Sequence, residues 1–362
     1  MPEHAGAAPD CELPVQGMLN RSARPLPPAA FRSLDFASAE DAAIWTRSWV
    51  TIGHVADIPR TGDILPFTVG THGVHVERLA DGGLIGRFNK AQHGGCRSVP
   101  VQCQTGAKTK CSFTSCGYSR DRRPIAAGSA EDAKALDQYI GLRPERLLPV
   151  AVRTIDGLIA VNLDPRGAEA ADWLDQALLP DVASNEDSTQ QSVHWLECNA
   201  DWKLLAYQLA AGTELSSGLD FVRTSILLAG GARATATLLF PNAVIVSAND
   251  GHCVIILQPV AIGHTLCRIR VSGAGSETKS PESLLQSWLV EISPRLQQAK
   301  ASQAAICFDP TDPESDSVQR GPLRHAAEPA RWLVSKISEQ IQSCSITAPG
   351  PFQATAHIGR RS

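Results

Sequence analysis

Apolar and polar positions alternate along this chain in short runs that turn residues interrupt, and long helical spacings flank them. Val50–Val55, Asp63–Val69, Val74–Leu79 and Gly83–Phe88 read as strands, with Thr61-Gly62-Asp63 and Asp81-Gly82-Gly83 as turn signals between them. Upstream, Ala39–Trp49 places Ala43, Ile44 and Trp49 near one helical face, with Ser38 as the N-cap. This predicts a small antiparallel β module followed by two cysteine-bearing loops. A helix over Ala130–Ile140 comes next, then strands at Leu148–Thr154 and Gly157–Asn162, a short helix at Trp173–Leu178 and a strand at Val193–Glu197. Trp202–Ala211 reads as a helix. Further strands follow at Ala234–Leu239, Ala243–Ser247, Cys253–Pro259 and Thr265–Val271, and two helices at Pro281–Gln298 and Glu328–Ser343 close the pattern. The fold class is α+β. A curved antiparallel sheet with a long terminal helix can wrap that helix and leave a cavity between them.

Composition narrows the function classes. Hydrophobic residues make up 43% of the 362 positions and charged residues 19%, with a formal net charge of −4. These values suit a soluble globular chain of two domains or one large one, and do not call for a nucleic-acid or membrane-surface partner. Arg120 to Arg123 reads as a solvated turn. No run of 18 apolar residues occurs, and Met1–Pro28, rich in Ala and Pro, lacks the apolar core of a secretion signal. A cytoplasmic chain is expected. Four of the ten cysteines fall between Cys96 and Cys116, and such a cluster points to metal binding or its remnant more than to disulfides.

Several local motifs stand in an order that resembles one known family. Ile44-Trp45-Thr46-Arg47-Ser48-Trp49 precedes Ile58-Pro59-Arg60-Thr61-Gly62-Asp63. Leu148-Pro149-Val150, Asp156-Gly157-Leu158-Ile159 and Val161-Asn162-Leu163-Asp164-Pro165 follow, then Asp201-Trp202-Lys203-Leu204-Leu205, Phe240-Pro241-Asn242 and Ser317-Val318-Gln319-Arg320-Gly321. Over roughly Pro27–Ile341 the series resembles the alpha (large) subunits of Rieske non-heme iron ring-hydroxylating oxygenases. The resemblance implies a leader over 1–28, a Rieske-like antiparallel β domain over 29–145, and a helix-grip (START-like) domain with a long C-terminal helix over 146–362.

The metal ligands of that family are mostly missing. A Rieske [2Fe–2S] centre takes two thiolates and two imidazoles. The resemblance places His93 at the first imidazole and Cys111 at a thiolate, but Ala91 and Thr114 at the remaining positions. His93, Cys96, Cys111 and Cys116 together form a His-plus-three-Cys set suited to zinc or an atypical iron–sulfur cluster, or else are unligated thiols and a histidine in two packed loops. The family's mononuclear iron takes two histidines and an aspartate. Here the corresponding positions are Glu214, Leu219 (beside Asp220) and, near the third, Asp312. No histidine lies between His194 and His252, and Ala211 stands where the resemblance puts the acid linking the two centres. Glu214, Asp220 and Asp312 are candidates for a vestigial, all-carboxylate cation site.

Loss at both centres removes electron entry and oxygen activation together. The expected function is a non-catalytic subunit in a trimer-based hetero-oligomer with an intact alpha subunit. The alternatives are an active hydroxylase or demethylase with unusual ligation, and a binding protein for a small apolar or aromatic ligand.

Overall fold

The computed structural model describes residues 26–90, 124–128, 139–164, 191–248, 251–273, 280–306 and 328–344. The leader up to residue 25, the cysteine loops and the expected Trp173–Leu178 helix lie outside them, as does most of the expected Ala130–Ile140 helix.

Two short helices open the described chain, α1 (Ala29–Arg32) and α2 (Leu34–Glu40), and a π-helical turn follows over Asp41–Trp45. The cap is Ser33, not Ser38. The Ser33 backbone is extended, and its hydroxyl accepts from the Asp35 and Phe36 amides. Ser38 lies inside the helix, where its hydroxyl donates to the Leu34 carbonyl at 2.9 Å. Leu26, at the end of the expected leader, is buried against this segment's core.

Six strands form the first sheet: β1 (Val50–His54), β2 (Ile64–Val69), β3 (His72–Arg78), β4 (Leu84–Phe88), β5 (Pro149–Ile155) and β6 (Leu158–Asn162). Their order is β1-β6-β5-β4-β3-β2, with antiparallel neighbours throughout. β5 and β6 lie beyond residue 145, the boundary expected from sequence, yet they pair into this sheet. Gly157 makes their tight connection possible. Its φ is +77°, and a Cβ there would meet the His54 ring.

The second sheet has seven antiparallel strands: β7 (Gln191–Cys198), β8 (Thr213–Ser217), β9 (Phe221–Leu227), β10 (Arg233–Leu239), β11 (Ala243–Ala248), β12 (Gly251–Ala261) and β13 (His264–Gly273). Its order is β7-β13-β12-β11-β10-β9-β8, so β7 and β8 are its edges. Three helices accompany it: α3 (Trp202–Ala210), α4 (Pro281–Ala304) and α5 (Glu328–Cys344). α4 buries Leu284, Leu285, Trp288, Ile292, Leu296 and Ala299, a helical spacing that turns one face inward. Leu333, Ile337 and Ile341 of α5 join the same core. Fully burying each such aliphatic side chain contributes roughly 1.5–3 kcal/mol.

One apolar core runs through both sheets, and buried polar side chains join them. Asn242, fully buried, donates to the Thr51 carbonyl at 2.8 Å and accepts from the Thr51 amide at 3.0 Å. Arg268 of β13 donates to the carbonyls of Ile52 at 3.1 Å and Pro66 at 2.9 Å. Arg270 reaches Asp57 at 2.6 Å. The described residues thus form a mixed fold of helices and antiparallel sheets.

Candidate functional site

Asp201 ends the approach to α3. Its side chain caps the helix by accepting from the Lys203 amide at 2.9 Å. The first turn then carries Trp202 and Lys203 into the core, where both are at most 2% exposed. A fully buried ammonium needs counter-charges and hydrogen bonds. Lys203 has both: its Nζ lies 2.7 Å from Glu40 Oε1 and 2.8 Å from Asp201 Oδ1. The rings of Phe31, Phe36 and Trp202 surround it at 5.2, 5.7 and 5.2 Å.

Two carboxylates thus share one buried ammonium. Burial pushes the Glu40 carboxyl up to about 7, against the opposing pull of Lys203. Burial lowers the Lys203 ammonium's affinity for its proton, but Asp201 and Glu40 outweigh it and hold the group above its ordinary range. Next to this cluster opens a cleft of about 80 Å³ lined by Phe31, Glu40, Asp41, Trp45, Thr71 and Trp202, among others. Asp41, held up by burial, accepts from the Thr71 hydroxyl at 2.7 Å. This arrangement can hold a proton on Glu40 near neutrality and ties α2 to α3. No motif announced it. The available signal was a lysine set between Trp202 and Leu204-Leu205 in an otherwise apolar run.

The positions expected for the iron ligands lie elsewhere, around β8. Glu214 is on β8, an edge strand whose residues are mostly exposed. Leu219, in the place of the second histidine, is 71% exposed. Asp220 is bound to Lys336 of α5, Nζ to Oδ1 2.8 Å. Next to that pair, Trp332 Nε1 donates to the Gly218 carbonyl at 3.1 Å and its ring meets Phe240 edge-on. Ala211 ends α3, its carbonyl bound by Arg295 at 2.8 Å. Asp312, His93, Cys96, Cys111 and Cys116 lie outside the described residues.

Solved structures share this architecture. The Rieske monooxygenase CntA, in complex with gamma-butyrobetaine, superposes with a TM-score of 0.55 over 88% of this chain and 94% of its own, at 13% identity. Naphthalene 1,2-dioxygenase from Rhodococcus sp. gives 0.54 over 91% and 98%, at 14% identity. In sequence, the alpha subunit of biphenyl 2,3-dioxygenase from Rhodococcus jostii is 26% identical over 177 residues, 46% of this chain and 37% of that protein. The chain is a relative of the Rieske oxygenase alpha subunits. The oxygenase subunit of glycine betaine monooxygenase from Pseudomonas aeruginosa is another such relative, 28% identical over 131 residues, 36% of this chain and 29% of that protein. The matched stretches span less than half the length of these curated relatives. No family model matches.

A Rieske oxygenase alpha subunit implies a mononuclear iron, and the side chains around β8 do not fit one. No imidazole stands at 214 or 219, and the carboxylate of Asp220 is already engaged by an ammonium. Among the described residues, no group of three or more His, Cys, Asp or Glu could hold a metal ion. Nor, among them, is any helix long and apolar enough to cross a membrane.

Proposed function

We propose that this chain is a non-catalytic alpha-type subunit that assembles with an intact Rieske oxygenase alpha subunit in a trimer-based hetero-oligomer. The observation that carries this is the Lys336–Asp220 pair at 2.8 Å, beside Leu219, where the resemblance expects the second iron-binding histidine. An ammonium there offsets the charge that a divalent cation would otherwise neutralise. Residues 29–145 are the core of a Rieske-like module whose cluster ligands are degenerate, with Ala91 and Thr114 replacing a thiolate and an imidazole. Of residues 146–362, those from β7 onward carry a helix-grip module, with α5 as its long terminal helix. The relatives are named as subunits, which supports assembly as the retained role.

Two measurements test this. The protein purified alone and without oxygen should contain substoichiometric iron and acid-labile sulfide. Co-expressed with an intact alpha subunit of the biphenyl dioxygenase type, it should co-elute in mixed complexes of defined native mass. A stoichiometric two-imidazole [2Fe–2S] signal would overturn the loss of the cluster. Homo-oligomers alone, with the partner's turnover unchanged, would remove the assembly role and leave binding of a small apolar or aromatic ligand as the better account.

A further inference from the structure

Two thiols face each other under α4. Cys198 ends β7, and Cys267 lies on β13. The strands pair Cys198 with Thr265 and Cys267 with Leu196, so the cysteines are diagonal neighbours on one face of the sheet. Their sulfurs are 3.8 Å apart, and Cys267 donates to Cys198. Both are buried, yet Cys198 is followed by exposed Asn199, which bonds exposed His264 at 3.2 Å. The pair therefore lies in the buried core, beside the exposed end of an edge strand.

We propose that Cys198 and Cys267 are a redox modification site that closes to a reversible disulfide under hydrogen peroxide. The inference is independent of the subunit role. Cys198 is the attacking sulfur. The hydrogen bond from Cys267 holds its thiol below the ordinary range, and Lys300 of α4 acts in the same sense against burial. Cys267, which gives that hydrogen bond and is fully buried, is pushed up.

The Cys198 thiolate attacks one peroxide oxygen and the O–O bond breaks. Hydroxide leaves and takes up the thiol proton as water, and Cys198 becomes a sulfenic acid. The Cys267 sulfur then attacks the Cys198 sulfur. The S–S bond forms, the S–O bond breaks, and the second hydroxide leaves as water with the Cys267 proton. Two electrons pass from the two sulfurs to peroxide. The sulfurs must approach by roughly 1.8 Å to reach a bond of about 2.05 Å. β7 can supply that movement, because as an edge strand it pairs with one strand, β13, among the described residues. The bond would staple the edge strand to its neighbour.

Full-length protein treated with hydrogen peroxide, alkylated and digested without reduction should yield a Cys198–Cys267 linked peptide. Its mass should be about 2 Da below the sum of the two thiol peptides, and dithiothreitol should restore them. Amide exchange over 192–197 should slow several-fold in the oxidised form. Cys253, buried on β12 with its thiol pushed well up by burial, should remain unlinked as an internal control. In Cys267→Ser, Cys198 should stop at a sulfenic acid that dimedone traps. Mapping of the unmodified chain decides the matter even if that variant misfolds. Both thiols remaining free while other cysteines oxidise would overturn the proposal, as would Cys198 passing to sulfinic acid with Cys267 still reduced.

Discussion

Lys336 Nζ and Asp220 Oδ1 lie 2.8 Å apart across α5 and the turn before β9, and the same ammonium sits 5.8 Å over the Phe240 ring. The pair's contribution follows from its setting. The two side chains are 11% and 24% exposed, so solvent screens the attraction in part. Lys336→Met and Asp220→Asn should each cost about 1 kcal/mol in urea unfolding. Their double-mutant cycle should give a coupling of roughly 0.5–1 kcal/mol. Strict additivity would show that the contact does not stabilise the fold.

The Glu40 carboxyl, pushed by burial up to about 7, ionises in the unfolded chain near the ordinary 4.5. Between those values the unfolded state has released the proton and the folded state has not. This group's contribution to stability therefore falls as pH rises from 4.5 to 7, then levels off. The full effect is on the order of 3 kcal/mol. Glu40→Gln, which keeps the hydrogen-bonding shape without the charge, should flatten this slope in denaturant titrations across that range. An unchanged slope in the variant would show that Glu40 does not titrate in this window.

Histidines act in the opposite sense. Burial lowers His54 to about 3 and His75 to about 4, from an ordinary 6.5. Below pH 6.5 the unfolded chain takes up protons that the folded chain refuses, so stability falls as pH drops from 6.5 toward 4. His75 is fully buried, its Nε2 has no partner, and its Nδ1 lies 2.9 Å from the Asn89 amide. His75→Gln should weaken the acid dependence measured by thermal melts at several pH values. A variant as acid-sensitive as the parent would refute the assignment.

Asn242 joins the sheets through two hydrogen bonds to Thr51 and a third, at 3.2 Å, to the Leu257 carbonyl. Asn242→Ala leaves buried backbone groups of β1 without partners. It should cost about 2–4 kcal/mol, read as a lower urea midpoint with the slope unchanged. A loss under about 0.5 kcal/mol would mean that water or relaxation replaces the bonds.

Much of the architecture follows from local pattern. Apolar and β-branched runs bounded by turn residues locate β1 to β6 to within a residue or two; β1, β2 and β6 are buried along their whole length, so the run and its bounding turn mark them rather than alternation. Asp201-Trp202-Lys203 likewise marks the start of α3, since a capping carboxylate and the helix it caps are neighbours in sequence. β8 was not legible. Thr213–Ser217 is a short, mostly exposed edge, and a strand with no buried face carries no alternation to read. The cap at Ser33 was missed for a related reason: two serines near the helix start look alike until the backbone chooses which one stands outside it.

From the sequence alone come the resemblance to Rieske oxygenase alpha subunits and the absence of imidazoles at positions 214 and 219, because ligand identity is a matter of which side chain stands where. Only the tertiary structure decided that Asp220 is held by Lys336, that Lys203 meets Glu40, and that Cys198 meets Cys267. These partners are 116, 163 and 69 residues apart. A periodicity of two or 3.6 residues carries no information over such distances. Strand order and helix packing bring these groups together, and burial then gives each contact its electrostatic weight.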